Sequence, residues 1–330
     1  LFDGVRLNNG IYRQGPNQYF FTVDGVGLSA LRVTRGSASV LRGSDALGGA
    51  IEALPLAVSP ATQGGFWASP SLRLAAASAD RSALLRARLE VGEGERVGLS
   101  LGGGLGHAGL LRAGAAPALD ADVPRFASDG FTQLGTGYEN AVMNARLELP
   151  VSEHMRMLAA VHGYQQWDTP RTDRCPPPEA PDNECLFFDP QARLLAYGAL
   201  RGDAASWLRA LDLRVSYQGH RERQRRERPG RTAGSGVTQI WENDVDTLGV
   251  AFEAQSRERR LGAAVWSLRH GFDLYADQVR SASERRLETG FVAQPPAGAR
   301  LEGNVLVWPE ERGTYPDGAA YLQGGLFARL

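Results

Sequence analysis

The residues best able to do chemistry in this chain are its arginines, five histidines, two cysteines and a set of glycine-flanked turns. None forms a catalytic constellation. Gly27, Leu28, Ser29, Ala30 and Leu31 begin like the turn that exposes a nucleophilic serine, but the closing glycine is missing. The run Gly102 to Gly106 lies in strand-like sequence, with His107 where a dinucleotide-binding loop needs its last glycine. His107, His154, His162, His220 and His270 show neither HxxH nor HExxH spacing, so no metal site is readable. The expectation is a protein that is not an enzyme and carries no cofactor. Cys175 and Cys185 bracket a polar, proline-rich stretch, which is a surface loop. A disulfide there closes a short loop, adds roughly 3 kcal/mol in the chain-entropy model and implies an oxidising compartment; two free loop thiols are the alternative. The run Arg221 to Arg228 is dense in arginine. It suits lipopolysaccharide phosphates or an anionic ligand, or else is a solvated strand extension.

The elements that position these residues are strands. Trp207 to Gln218 alternates, with Trp207, Arg209, Leu211, Leu213, Val215 and Tyr217 on one face and Ala210, Asp212, Arg214, Ser216 and Gln218 on the other. From Trp207 to Tyr217 such a strand covers about 33 Å; tilted by about 40° it spans about 25 Å, the apolar band of a membrane barrel. Arg209 lies near the end of that band, where it can snorkel. The same alternation sets Ala83, Leu85, Ala87, Leu89 and Val91 against Leu84, Arg86, Arg88 and Glu90. It sets Ala141, Met143, Ala145, Leu147 and Leu149 against Asn144, Arg146 and Glu148, and Leu248, Val250, Phe252 and Ala254 against Thr247, Glu253 and Gln255. Soluble sandwich strands are about half as long and seldom carry charge on the inner face.

Strands are expected near 67–78, 82–91, 96–106, 137–150, 155–168, 192–202, 207–222, 238–256, 261–282 and 318–330. The joints at 92–95, 151–154, 203–206 and 257–260 are tight; those at 107–136, 169–191, 223–237 and 283–317 are long. Short turns on one rim and long loops on the other mark an outer-membrane barrel, with the cysteines on the outer, oxidising side. No apolar run of 18 residues occurs, which excludes a spanning helix and leaves a spanning barrel open. The net charge of −1 gives no electrostatic case for nucleic acid. All 36 basic residues are arginine.

Before the strands lies a different kind of sequence. From Leu31 to Leu56, glycines at 36, 43, 48 and 49 punctuate short β-branched and leucine runs. This stretch resembles the end of the plug domain of TonB-dependent outer-membrane receptors. The match runs through Val33, Arg35, Gly36, Ala38, Ser39, Val40, Leu41, Gly43, Ala46, Gly48, Gly49 and Ile51. Asp3 to Asn8 looks like a further strand of that plug, and residues 135–173 look more loosely like its barrel hairpins. Arg32, Ser37 and Arg42 depart from the pattern, where the family usually has Glu, Pro and Tyr.

The resemblance implies a mainly β chain in two parts. Residues 1–58 would be the C-terminal half of a small α+β plug. Residues 59–330 would be the first part of a transmembrane antiparallel β-barrel, about ten strands of a 22-stranded wall. The plug start, signal peptide and TonB box are expected before Leu1, and further strands after Leu330. The implied activity is uptake of a scarce nutrient across the Gram-negative outer membrane: a ferric siderophore or other iron complex first, haem or cobalamin next. The implied partners are TonB, outer-membrane lipid and lipopolysaccharide, and the iron complex, with no nucleic acid. The alternative is a passive or structural barrel of porin or adhesin type, which has no use for a glycine-rich N-terminal unit. By the same resemblance Tyr12, Arg13, Gln14, Asn17, Gln18 and Tyr19 form an apical plug loop that faces ligand, with Arg supplying bidentate contacts. Arg35 and Arg42 are expected to hold the plug through wall carboxylates, with Glu90, Glu148 and Glu253 as candidates.

Overall fold

Long alternating strands leave a chain few choices, because each must pair on both edges and hide one polar or one apolar face. In the computed structural model they form one antiparallel sheet. The structure describes residues 1–11, 20–36, 46, 48–58, 64–94, 96–114, 126–171, 184–203, 206–228, 230, 232, 235–262, 264–292, 294–310 and 313–329. A two-stranded hairpin comes first, β1 (Leu28–Arg35) and β2 (Gly49–Pro55). There follow β3 (Phe66–Ala77), β4 (Ser82–Glu93), β5 (Val97–Ala108), β6 (Tyr138–Pro150), β7 (Met155–Trp167), the short β8 (Thr169–Pro170), β9 (Cys185–Gly202), β10 (Leu208–Arg228) and β11 (Val237–Ser256). A small hairpin of β12 (Arg259–Leu261) and β13 (Ala264–Trp266) precedes β14 (Arg269–Glu288). The short β15 (Arg300–Glu302) and β16 (Val305–Pro309) and then β17 (Ala320–Arg329) complete the order.

The main sheet has 13 strands. Setting aside β8, β15 and β16 leaves ten long ones in simple chain order, each antiparallel to the next. The ten expected strands are therefore present. Four boundaries differ, among them the end of β14, which runs to Glu288 rather than to 282. β9 begins at Cys185 rather than near 192, and β10 runs to Arg228 rather than to 222. The expected strand at 261–282 is instead the β12–β13 hairpin followed by β14, so the joint after β11 is not a tight turn.

Alternation sorts the side chains as expected. Leu213, Val215 and Tyr217 on β10, Leu248 and Val250 on β11, and Phe272 and Leu274 on β14 are exposed on one face. In register, Val215 faces Val250, which faces Leu274. On the other face Ser216, Gln218, His220, Glu222, Asn243, Thr247 and Asp277 are buried. Apolar residues out and polar residues in is the reverse of a soluble sandwich and matches a barrel wall. The apolar face also has an upper limit. The Tyr217 hydroxyl donates to Asp246 at 2.6 Å, and beyond it Arg280 pairs with Asp246 at 3.0 Å and Arg223 with Glu242 at 3.2 Å. Arg209, at the other end, lies 3.9 Å from Glu258 with both side chains exposed.

The N-terminal residues are seated on the polar face. Phe2, Val5, Leu7 and Ala53 form one buried cluster with Leu158, Ala160, Leu195, Tyr197 and Ala199 of β7 and β9. Ile11 packs with Val245 and Val279 in a second. Burying Phe2, Val5 and Leu7 is worth about 1.5–3 kcal/mol each, so the seat is apolar as well as ionic. β5 makes room for this unit. A Cβ on Gly104 would lie 2.0 Å from the Leu85 carbonyl oxygen and 2.7 Å from the Arg86 side chain, so the glycine run lets Arg86 cross the face.

Candidate functional site

The densest chemistry lies where Asp3 to Ile11 crosses the polar face. Asp3 has φ 47° and Gly4 φ 79°, a tight turn that aims the Asp3 carboxylate at the wall. One oxygen lies 3.1 Å from Arg146 and accepts from the Tyr197 hydroxyl at 2.7 Å; the other lies 3.1 Å from Arg201. Each arginine is shared: Arg146 pairs with Glu148 at 2.6 Å and Arg201 with Asp212 at 3.0 Å. Arg214 also takes Asp212, at 2.7 Å. Burial alone would raise the Asp3 carboxyl; Arg201, the Tyr197 hydroxyl and Arg146 outweigh it and hold it below its ordinary 3.8.

The wall also grips the main chain of this segment. Arg201 donates to the Asp3 carbonyl at 3.3 Å, Arg214 to the Gly4 carbonyl at 2.9 Å, and Arg193 to the Leu7 carbonyl at 3.1 Å. Gln218 donates to the Arg6 carbonyl, and the Arg6 amide donates to the Tyr275 hydroxyl at 3.2 Å. Further on, the Tyr315 hydroxyl donates to the Ile11 carbonyl at 3.2 Å. Because these groups hold carbonyls, they fix the path of the chain whatever its side chains are. The later part of the unit is tied at the opposite side of the sheet. Asp24 meets Arg86 through both oxygens, at 3.1 and 3.3 Å, and Arg88 donates to the Ala57 carbonyl at 2.8 Å.

Beside the Asp3 cluster the N-terminal unit and the wall enclose a cavity of about 260 Å³ whose lining includes Phe2, Asp24, Asn144, Arg146, His162 and Tyr164. The Phe2 ring meets His162 edge-on, with centroids 4.5 Å apart. Nearer the long-loop rim a buried polar row follows. Gln166 donates to Gln191 at 3.2 Å, Gln191 to Glu222 at 3.2 Å, Gln224 also donates to Glu222, and Ser281 donates to Asn243 at 2.8 Å.

The expected site residues divide into those outside and those within the described part of the chain. Tyr12, Arg13, Gln14, Asn17, Gln18, Tyr19, Arg42 and Cys175 lie outside the described residues. Arg35 ends β1 and is exposed. The three carboxylates named for it have arginine partners in the wall: Glu90 with Arg88 at 2.7 Å, Glu148 with Arg146 at 2.6 Å, and Glu253 with Arg269 at 2.6 Å. The ties between unit and wall described above run through Asp3 and Asp24 instead, with the carboxylate on the N-terminal side and the arginine on the wall. Arg32, the charge reversal in the glycine-rich stretch, pairs with Glu52 across the β1–β2 hairpin at 3.0 Å. Cys185 is disulfide-bonded, and the sequence has one other cysteine, Cys175. The arginine run is built into β10: Arg225 meets Asp189 at 3.2 Å and lies over the Phe187 ring, and Arg226 meets Glu184 at 2.6 Å. Among the described residues no group of three or more His, Cys, Asp and Glu could hold a metal ion.

Sequence reasoning missed Asp3, Arg193 and Arg201 as site residues. Arg146 and Arg214 were placed on the polar face by alternation, but nothing local marks the partner of either.

No protein-family model matches the chain, and no curated protein matches it. Among solved structures it is similar to the crystal structure of the ferric yersiniabactin uptake receptor FyuA from Yersinia pestis, with a TM-score of 0.52 and 11% identity. The likeness covers 91% of this chain and 49% of that receptor, so the chain spans about half its length. At this identity the likeness shows the fold: a long-stranded antiparallel sheet of the kind that walls a receptor barrel. No helix among the described residues is long and apolar enough to cross a membrane, which says nothing about crossing by strands.

Proposed function

We propose that this chain is the plug-bearing part of a TonB-dependent outer-membrane receptor, with residues 1–58 as the later half of the plug and residues 59–330 as the first ten strands of the wall. The observation that carries the reading is the Asp3 to Ile11 segment, laid across the polar face of the sheet and gripped there by buried and half-buried wall side chains. A passive pore gains nothing from a chain segment that fills its lumen. An importer needs one that is held firmly at rest and can be withdrawn. Buried ion pairs suit that task, because they give little net stability yet fix one arrangement. In this reading the apolar face meets outer-membrane lipid and lipopolysaccharide, and the polar row of Gln166, Gln191, Glu222 and Asn243 lines the lumen toward the outer loops. The cargo is a scarce nutrient, with a ferric siderophore or other iron complex first and haem or cobalamin next. Tyr12, Arg13, Gln14, Asn17, Gln18 and Tyr19 are proposed as the apical ligand loop, and TonB as the energising partner.

The test is uptake by cells that carry the complete gene, grown under iron limitation. The reading expects the protein in the outer-membrane fraction and uptake of a ferric complex that stops when TonB is deleted. Uptake unaffected by that deletion would favour a passive pore, and a soluble product would reject both.

A further inference from the structure

The cluster around Asp3 has the make-up of a carboxylate receptor whose guest belongs to the chain itself. All its host groups come from the wall. Arg146 reaches one carboxylate oxygen and Arg201 the other, and the Tyr197 hydroxyl completes the set. Three donors converging on two coplanar oxygens fit a carboxylate. The charges point the same way. On the wall, Arg146, Arg201 and Arg214 face Glu148 and Asp212, which leaves one uncompensated positive charge; Asp3 cancels it. When Asp3 leaves, the three host groups remain, short of one negative charge. Losing the counter-charge of an ion pair is costly, so the segment withdraws more easily when another anion takes the place of Asp3.

We propose that Arg146, Arg201 and Tyr197 form a carboxylate-binding site of the translocation path, occupied at rest by Asp3 and by a carboxylate of the cargo once the segment withdraws. This rests on the plug reading above and adds the class of cargo: a ligand that bears at least one free carboxylate. The site lies toward the short-turn ends of β6 and β9, so a cargo entering from the long loops reaches it late. Of the host groups, Arg146 also lines the neighbouring cavity of about 260 Å³. The exchange breaks no covalent bond and needs no proton transfer: one carboxylate replaces another on the same donors.

Chemical rescue tests this on the full chain, purified in detergent. Asp3→Gly removes the guest and suits the φ of 47° at this position. Asp3→Asn removes the charge and keeps the site filled. Hydrogen exchange of the backbone amides of residues 4–7 is read with sodium formate or acetate at about 0.1 M, and with sodium chloride at the same ionic strength. The proposal expects exchange in Asp3→Gly to rise about tenfold or more, formate or acetate to restore most of the protection, and chloride to restore none. It expects no rescue in Asp3→Asn, nor when Arg146→Gln and Arg201→Gln are added to Asp3→Gly. Unchanged exchange in Asp3→Gly, no response to formate and acetate, or equal rescue in the arginine variants would each overturn it. The importer reading fails separately, through TonB-independent uptake, whatever formate does to the isolated protein.

Discussion

Asp3 ties the N-terminal unit to three wall side chains at once. Its carboxyl is held below its ordinary value, so its contribution is complete above about pH 4, the unfolded value, and is lost as pH falls through the lower folded value. Exchange protection of residues 4–7 should therefore stay level from pH 7 to about pH 4 and fall below that. A profile that declines between pH 7 and 5 would point to a different group. Losing one partner of a buried pair costs about 3–5 kcal/mol, so Arg146→Gln should release the segment while the β-sheet signal in circular dichroism persists, and Arg201→Gln, at a more exposed side chain, should loosen it less. Gly4 is the second residue to test. A Cβ there would lie 2.2 Å from the Arg214 guanidinium, on a backbone with φ 79°. Gly4→Ala should weaken docking by about 1 kcal/mol or more through the backbone alone, seen as faster exchange at residues 4–7. No change would mean that the turn is not held as described.

Strands are the scale at which the sequence was most legible, and the reasons are visible in β10. From Leu211 to Gln218 apolar and polar residues alternate cleanly, and the structure exposes Leu213, Val215 and Tyr217, buries Ser216 and Gln218, and leaves Asp212 and Arg214 half-buried. From Arg223 to Arg228 both faces are polar, so alternation carries no contrast and the strand's true end was not readable. Cys185 to Gln191 was lost because it follows a proline-rich loop, and Leu186, Phe187 and Phe188 are consecutive and apolar, with Pro190 behind them, so no alternation shows. The 261–268 stretch failed for another reason: three-residue strands such as β12 and β13 are shorter than any periodicity can register. The Asp3 site was not legible at all. Its partners lie 143 and 194 residues away along the chain, and alternation says which face a residue takes, not which residue it meets. At this scale the lipid-facing assignment makes its own prediction. Val250 sits between Val215 and Leu274 on the apolar face. Val250→Arg should cost about 2–4 kcal/mol in a bilayer, read as a lowered urea midpoint of the vesicle-inserted protein. Arg209→Ala, at the exposed end of the same face, should change it by less than about 0.5 kcal/mol. Equal effects would place neither residue in lipid.

As a whole, the molecule is a wall with two opposite faces and a short unit held on the polar one. That order is what a closed, plugged barrel requires and what a soluble β domain avoids. The sheet has β3 at one side of its order and β17 at the other, and the chain spans about half of the receptor it resembles in fold. The account rests on one claim about this architecture: the apolar face lies in lipid and the gripped polar face encloses the N-terminal unit. Spin labels placed singly from Asp212 to Tyr217 on β10, in protein reconstituted into lipid vesicles, test it most directly. Collision with dissolved oxygen should peak at residues 213, 215 and 217, and residues 212, 214 and 216 should be shielded from it, giving a period of two. Labels that meet a water-soluble nickel chelate equally at every position, or a period-two signal with the even positions in lipid, would contradict it.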